Sequence, residues 1–138
     1  MPHPTNKIHN NKNINFLNGC TGKNGYGGAV WNTGDKNITI INCTFNGNTA
    51  YYGGAISGRI GDITNCIFTN NIAQESGGAI YIDDGGVSGN LTGIYINNTA
   101  KDGGAIYIPK GGVSGNLGGT FINNMAEYGG AIDIGGGV

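Results

Sequence analysis

Gly77–Asp102 reads GGAIYIDDGGVSGNLTGIYINNTAKD, and Gly103–Tyr128, which follows without a break, reads GGAIYIPKGGVSGNLGGTFINNMAEY. The two stretches agree at 18 of 26 positions. Their opening motif, Gly-Gly-Ala followed by Val or Ile, begins at Gly27, Gly53, Gly77, Gly103 and Gly129, at steps of 26, 24, 26 and 26 residues. A second motif, an aromatic residue followed after two positions by Asn, keeps pace with it at Phe45–Asn48, Phe68–Asn71, Tyr95–Asn98 and Phe121–Asn124. A fixed period in this range means one structural unit copied along an axis, each copy contacting mainly its neighbours.

The residues inside the period decide what the unit is. Helical repeats of this length need Ala, Leu, Glu and Lys at a spacing of 3.6. These units carry short β-branched and aromatic runs instead, such as Ile38–Phe45, Ala79–Ile82, Ile94–Ile96 and Ala105–Ile108, separated by Gly, Asn, Asp and Ser. Gly permits positive φ at the corners, and Asn tolerates it better than most residues. Each unit therefore reads as two or three short strands joined by turns. Strands recurring in one direction once per unit pair in parallel with their copies, giving an all-β, single-stranded parallel β-helix of about five coils. Right-handedness is expected from the strong bias of parallel crossovers.

In such a coil every position stacks on its equivalent about 4.8 Å away. Val30, Ile56, Ile80, Ile106 and Ile132 form one inward column, and Ile82, Ile108 and Ile134, two residues on, point the same way. Phe45, Phe68, Tyr95 and Phe121 form an interior aromatic column. Asn48, Asn71, Asn98 and Asn124 form an amide column in which each side chain can donate to one neighbour and accept from the other. Gly53 and Gly54, Gly77 and Gly78, Gly103 and Gly104, and Gly129 and Gly130 form the corners.

Composition excludes several classes of function. Charged residues are 11% of the chain and the formal net charge is −1, so the clustered basic face of a nucleic-acid binder is absent. Gly contributes 29 residues, yet Ile and the aromatics recur in phase with the Gly pairs, which a disordered chain does not do. No apolar run has the length of a membrane-spanning helix, and the first twenty residues lack the apolar segment of a signal peptide. Residues 1–14 read as a polar tail or cap, and 15–138 as the repeats (27–52, 53–76, 77–102, 103–128 and a partial 129–138). The partial last unit favours a piece of a longer exported protein.

The paired GGA(I/V) and aromatic-x-x-Asn motifs resemble the repeats of chlamydial polymorphic membrane proteins, and also those of adhesin-like proteins of methanogenic archaea. The resemblance covers about 27–138. It implies a right-handed parallel β-helix, pectin-lyase-like in architecture, on a cell surface or secreted within a longer protein. Adhesion is the implied role, toward a host-cell or cell-surface glycan or protein.

The remaining candidates each have a bland reading beside the functional one. Trp31, Ser57, Tyr81, Tyr107 and Asp133 form a column facing solvent. Tyr81 over Tyr107 offers a stacking surface for sugar rings, or simply stabilises the sheet face by about 0.2–1 kcal/mol per pair. Arg59 shares a column with Asp83, and Asp84 with Lys110, which suits vertical ion pairs better than calcium, a cation that needs six to eight oxygens. Cys43 and Cys66 stack in one column as buried thiols or as a disulfide, and Cys20 has no partner. Asn37, Asn42, Asn90 and Asn97 begin Asn-x-Ser/Thr sequons, which matter only in an exported chain. A polysaccharide lyase or hydrolase would need carboxylates gathered on adjacent coils, whereas most acids here fall in different columns. The reading is a non-enzymatic adhesin-like or spacer segment without cofactor or metal. The alternatives are a polysaccharide-binding or polysaccharide-degrading β-helix, and a gene fragment without independent function. End-to-end self-association through an uncovered last coil is also expected.

Overall fold

The computed structural model of the protein describes residues 11–12, 15–17, 26–32 and 37–135. Most of the polar leader 1–14, Cys20 and residues 33–36 and 136–138 lie outside the described residues, as do the side chains of Asp83 and Asp84, and with them the Arg59–Asp83 and Asp84–Lys110 pairs. The described strands are β1 (Asn11–Lys12), β2 (Asn15–Leu17), β3 (Val30–Asn32), β4 (Ile38–Ile41), β5 (Thr44–Asn46), β6 (Thr49–Tyr52) and β7 (Ile56–Thr64). There follow β8 (Ile67–Thr69), β9 (Ile72–Ser76), β10 (Ile80–Val87), β11 (Ile94–Ile96), β12 (Ile106–Ile108), β13 (Thr120–Ile122) and β14 (Ile132–Ile134).

Every strand pairing is parallel, and each is with a copy one coil away. One sheet runs β1-β4-β7-β10-β12-β14 with β3 also on β7; a second runs β13-β11-β8-β5-β2; β6 and β9 form a third. The protein is thus a parallel β-solenoid of about four turns, one fewer than the repeat count suggests, because the unit opening at Gly129 contributes only β14 among the described residues.

Register follows the columns. Ile80 pairs with Ile56 and Ile106, and Ile106 with Ile132. Val30, Ile56, Ile80, Ile82, Ile106 and Ile108 are fully buried. Burial of one such side chain contributes roughly 1.5–3 kcal/mol. Ile134 is 44% exposed, because its coil is the outermost one described. Phe45, Phe68, Tyr95 and Phe121 stack with centroids 4.8–4.9 Å apart and planes within 4°.

The coil from Gly53 explains the shorter 24-residue step. Phe68 follows Gly53 by 15 residues, where Tyr95 follows Gly77 by 18; Gly77 then follows Phe68 by 9, where Gly103 follows Tyr95 by 8. The missing residues are absorbed where β10 meets β7: pairing passes from Ile82↔Gly58 to Val87↔Ile60 across Asp83–Gly86. β7 therefore runs as one strand of nine residues that pairs with both β3 and β4 on one side and with β10 on the other. The extra residue falls on β9, where Ala50↔Ala73 is followed by Tyr52↔Ser76.

Candidate binding face

The two repeated motifs meet in space. Gly53 has φ +62 and Gly77 φ +70, the left-handed region that Gly enters without penalty. The second Gly of a pair is small for a different reason. A Cβ on Gly54 would lie 2.8 Å from the backbone nitrogen and oxygen of Ile72 and would collide with the carbonyl of Gly78. Gly78 meets Thr99, and Gly104 meets Met125, in the same way. Ile72, Thr99 and Met125 each directly follow an Asn of the amide column, so the Gly corner presses on the backbone that this Asn holds in place.

That column is continuous. The Asn48 N–H and Nδ2 donate to Asn71 Oδ1 at 2.9 and 3.1 Å. The Asn71 N–H and Nδ2 donate to Asn98 Oδ1, both at 3.0 Å, and those of Asn98 to Asn124 Oδ1 at 3.0 and 2.9 Å. Asn71, Asn98 and Asn124 also donate backwards, to the carbonyls of Phe45, Phe68 and Tyr95. Each of the two inner amides, Asn71 and Asn98, so ties three coils together. The residue before Asn71, Asn98 and Asn124 is another Asn, at positions 70, 97 and 123, and holds φ +54 to +56. Asn97, read from sequence as a sequon, is one of these turn formers.

A second ladder runs through Asn90, which the sequence marks only as the start of a sequon. Asp62 Oδ1 accepts the Asn90 N–H at 2.8 Å, and Asn90 Oδ1 accepts the Asn116 N–H at 2.8 Å. Recurrence of Gly-Asn at 89–90 and 115–116 was the available signal. Acids are held in comparable ways elsewhere. Glu75 Oε2 accepts the Tyr51 hydroxyl at 3.3 Å and sits 3.5 Å from Lys101 Nζ, and this carboxylate raises the Lys101 pKa. Asp102 accepts the Ser76 hydroxyl. Cys43 and Cys66 are buried and not joined by a disulfide, with Cys66 Sγ donating to the carbonyls of Thr64 and Ile40. Burial pushes the Cys66 thiol up to about 12, the inert condition for a sulfur nucleophile.

Outward-facing aromatics gather into one strip. Tyr81 and Tyr107 stack with centroids 5.7 Å apart and planes 15° from parallel, so each covers part of the other's face. Sequence reading placed these two and Trp31 in the column but missed Tyr26 and Tyr52, which come from across the Gly corner. Tyr26 stacks on Trp31 at 5.4 Å and on Tyr52 at 5.0 Å. The two stacks then meet at an angle: Tyr52 and Tyr81 are 4.9 Å apart and inclined by 48°, and Tyr26 and Tyr81 6.4 Å apart and inclined by 60°. The position in register between Trp31 and Tyr81 is Ser57. The rings close over it. Its side chain is fully buried, and its Oγ has no hydrogen-bond partner among the described residues. Burial first, then the neighbouring Tyr51, Tyr26 and Glu75, raises the Tyr52 pKa; burial, Asp133 and Asp102 raise that of Tyr107.

Comparison with known proteins finds a likeness for the repeat. The model of the Chlamydia polymorphic membrane protein (Chlamydia_PMP) repeat matches residues 42–59, 65–83 and 96–109. Two of these matches hold the aromatic, the ladder Asn and the following Gly-Gly-Ala-Ile, and the third holds Asn98 with Gly103–Ile106. No curated protein and no solved structure matches the chain. With both repeated motifs in register on parallel strands, the matched residues are similar to Chlamydia polymorphic membrane protein repeats and are set in a β-solenoid.

Proposed function

We propose that the chain is a non-enzymatic, adhesin-like segment of a longer surface-displayed β-solenoid, built to carry a contact face on a rigid rod. The observation that carries this reading is the coincidence of three Chlamydia polymorphic membrane protein repeats with a ladder that ties successive coils through buried amides. A stack held this way keeps outward positions at fixed spacing, so weak contacts made by successive coils act together. The polymorphic membrane protein repeats belong with outer-membrane and surface proteins, which supports display outside the cell. Against catalysis stands the use already made of the acids: Glu75, Asp62 and Asp102 each hold a structural partner. Among the described residues no three or more His, Cys, Asp or Glu are grouped to hold a metal ion, and no helix is long and apolar enough to cross a membrane.

Beads coated with the purified chain and settled on epithelial monolayers test the reading, with beads carrying an unrelated β-solenoid as the reference. Retention above the reference is expected under shear. Retention equal to it removes the adhesive role and leaves the spacer.

A further inference from the structure

We infer that the strip of Tyr26, Trp31, Tyr52, Tyr81 and Tyr107 is a contact site for a neutral glycan, with the Ser57 hydroxyl as its hidden hydrogen-bonding group. This rests on the adhesin-like reading and names the ligand class of its contact face. Three observations carry it. The first is the strip itself, five half-buried rings across four coils. Scattered exposed aromatics need no explanation, whereas a contiguous aromatic patch marks an interaction surface.

The second is Ser57. A buried hydroxyl without a partner costs the fold free energy, and native structures rarely retain one. Here it sits where the two ring stacks diverge by 48–60°. A ligand that parts the rings at this wedge would meet ring faces on both sides and a hydroxyl at the floor. That combination suits a sugar ring, whose C–H face packs on an aromatic while its hydroxyls pair with a protein hydroxyl.

The third is charge. Among the described residues the strip itself is made of uncharged side chains, Tyr26, Trp31, Tyr52, Ser57, Tyr81 and Tyr107. The nearest acid on the Tyr52 side, Glu75, is already matched by Lys101 and by the Tyr51 hydroxyl. Among the described residues the Tyr107 end has two carboxylates close by, Asp133 and Asp102, the latter accepting the Ser76 hydroxyl. A strongly basic peptide would need more negative charge along the strip than this, and a sulfated or otherwise acidic glycan would meet those carboxylates. A neutral saccharide fits without either conflict.

Trp31 is the single tryptophan of the chain and stacks on Tyr26, so its fluorescence reports on the strip. The chain is titrated with cellohexaose, maltohexaose, mannohexaose and N-acetylchitohexaose, with heparin hexasaccharide and deca-arginine as charged probes, all to millimolar concentration. A saturable change with at least one neutral hexasaccharide and not with the charged probes is expected. Affinity should fall tenfold or more in Tyr52→Ala and in Tyr81→Ala, each shown to be folded by far-UV circular dichroism. Ser57→Ala is the discriminating variant: it should melt at a higher temperature than the natural chain and bind the saccharide several-fold more weakly. A purely structural Ser57 would not give both changes together. Absence of any saturable change with the neutral set overturns the inference, and so does a response to deca-arginine or heparin alone. Bead retention on cells that survives Tyr52→Ala overturns the strip but leaves the adhesive reading standing, while loss of retention in the natural chain overturns the latter.

Discussion

Tyr95 lies against Gly93 at ordinary contact distance: a Cβ on Gly93 would lie 3.4 Å from Tyr95 Cε2 and 3.5 Å from its hydroxyl oxygen, so the ring leaves room for a methyl group at position 93. In the two preceding coils the same column carries Cys43 and Cys66 and the aromatic two residues on is Phe. In this coil the thiol is gone, and the larger ring donates its hydroxyl to the Thr92 carbonyl at 3.3 Å. Tyr95→Phe should therefore cost about 1 kcal/mol, the net worth of one such bond, read as a lower urea midpoint with unchanged slope. Gly93→Ala should cost about 1–3 kcal/mol, because φ is +145 and the new Cβ would lie 2.8 Å from the Cys66 carbonyl. Adding Tyr95→Phe to Gly93→Ala should not restore stability. If it did, side-chain crowding rather than backbone conformation would be the reason for the glycine.

The two ladders differ in depth, and their variants should differ accordingly. Asn98 is fully buried and its loss strands the Asn71 N–H and the Phe68 carbonyl. Asn98→Leu is expected to cost at least about 2 kcal/mol, since each stranded buried group carries about 1–3 kcal/mol. Asn90→Ala removes one acceptor from the Asn116 N–H at a position that water reaches, and about 0.5–1 kcal/mol is expected. Equal midpoints for the two variants in chemical denaturation would show that the inner ladder contributes nothing beyond an ordinary turn.

Alkaline stability follows from the buried thiol. The folded Cys66 pKa is raised from 9.0 to about 12, so the folded state holds a proton that the unfolded chain releases. Its contribution is complete below about pH 9 and is lost as pH climbs toward about 12. The fully buried Tyr95, also raised by burial, adds in the same sense above its ordinary value of 10.0. The urea midpoint should be level through neutral pH and fall above about pH 9, and less steeply in Cys66→Ala. An unchanged slope in that variant would remove Cys66 as a cause. Thiol reagents should label Cys43 and Cys66 only on unfolding.

The legibility of this chain from sequence divides by cause. The parallel solenoid and its inward columns were readable, because the period was explicit and Ile and Phe recur in phase with it. The corners were readable only in half. Positive φ at the first Gly follows from residue type, whereas the second Gly answers to the approach of Ile72, Thr99 or Met125, a contact made across the coil that no local pattern announces. The aromatic strip was half visible for a related reason. Trp31, Tyr81 and Tyr107 share one column, but Tyr26 and Tyr52 belong to the column before the Gly pair and reach the others only because the corner folds them together. The Asp62–Asn90 bond was hidden by the shortened coil, whose register shifts move Asp62 off the position that simple counting assigns.

Self-association should trace to the outermost described coil. β13 and β14 are edge strands of their sheets, and exposed edges template pairing with other chains. Around them Phe121 is only half-buried where Phe45, Phe68 and Tyr95 are fully covered. Ile122 and Ile134 are 44% exposed, Tyr128 63% and Met125 67%. We expect the 138-residue chain to sediment as more than a monomer at micromolar concentration, joined through this coil. Replacing Ile122 and Ile134 together by Lys should shift it toward monomer, by adding charge to an apolar edge, while leaving the far-UV strand signal unchanged. The aromatic strip makes a competing candidate for the contact, so Tyr52→Ala serves as the control and should leave sedimentation as it is. A natural chain that sediments as a clean monomer, or an association abolished by Tyr52→Ala instead, would show that this coil is not the joining surface.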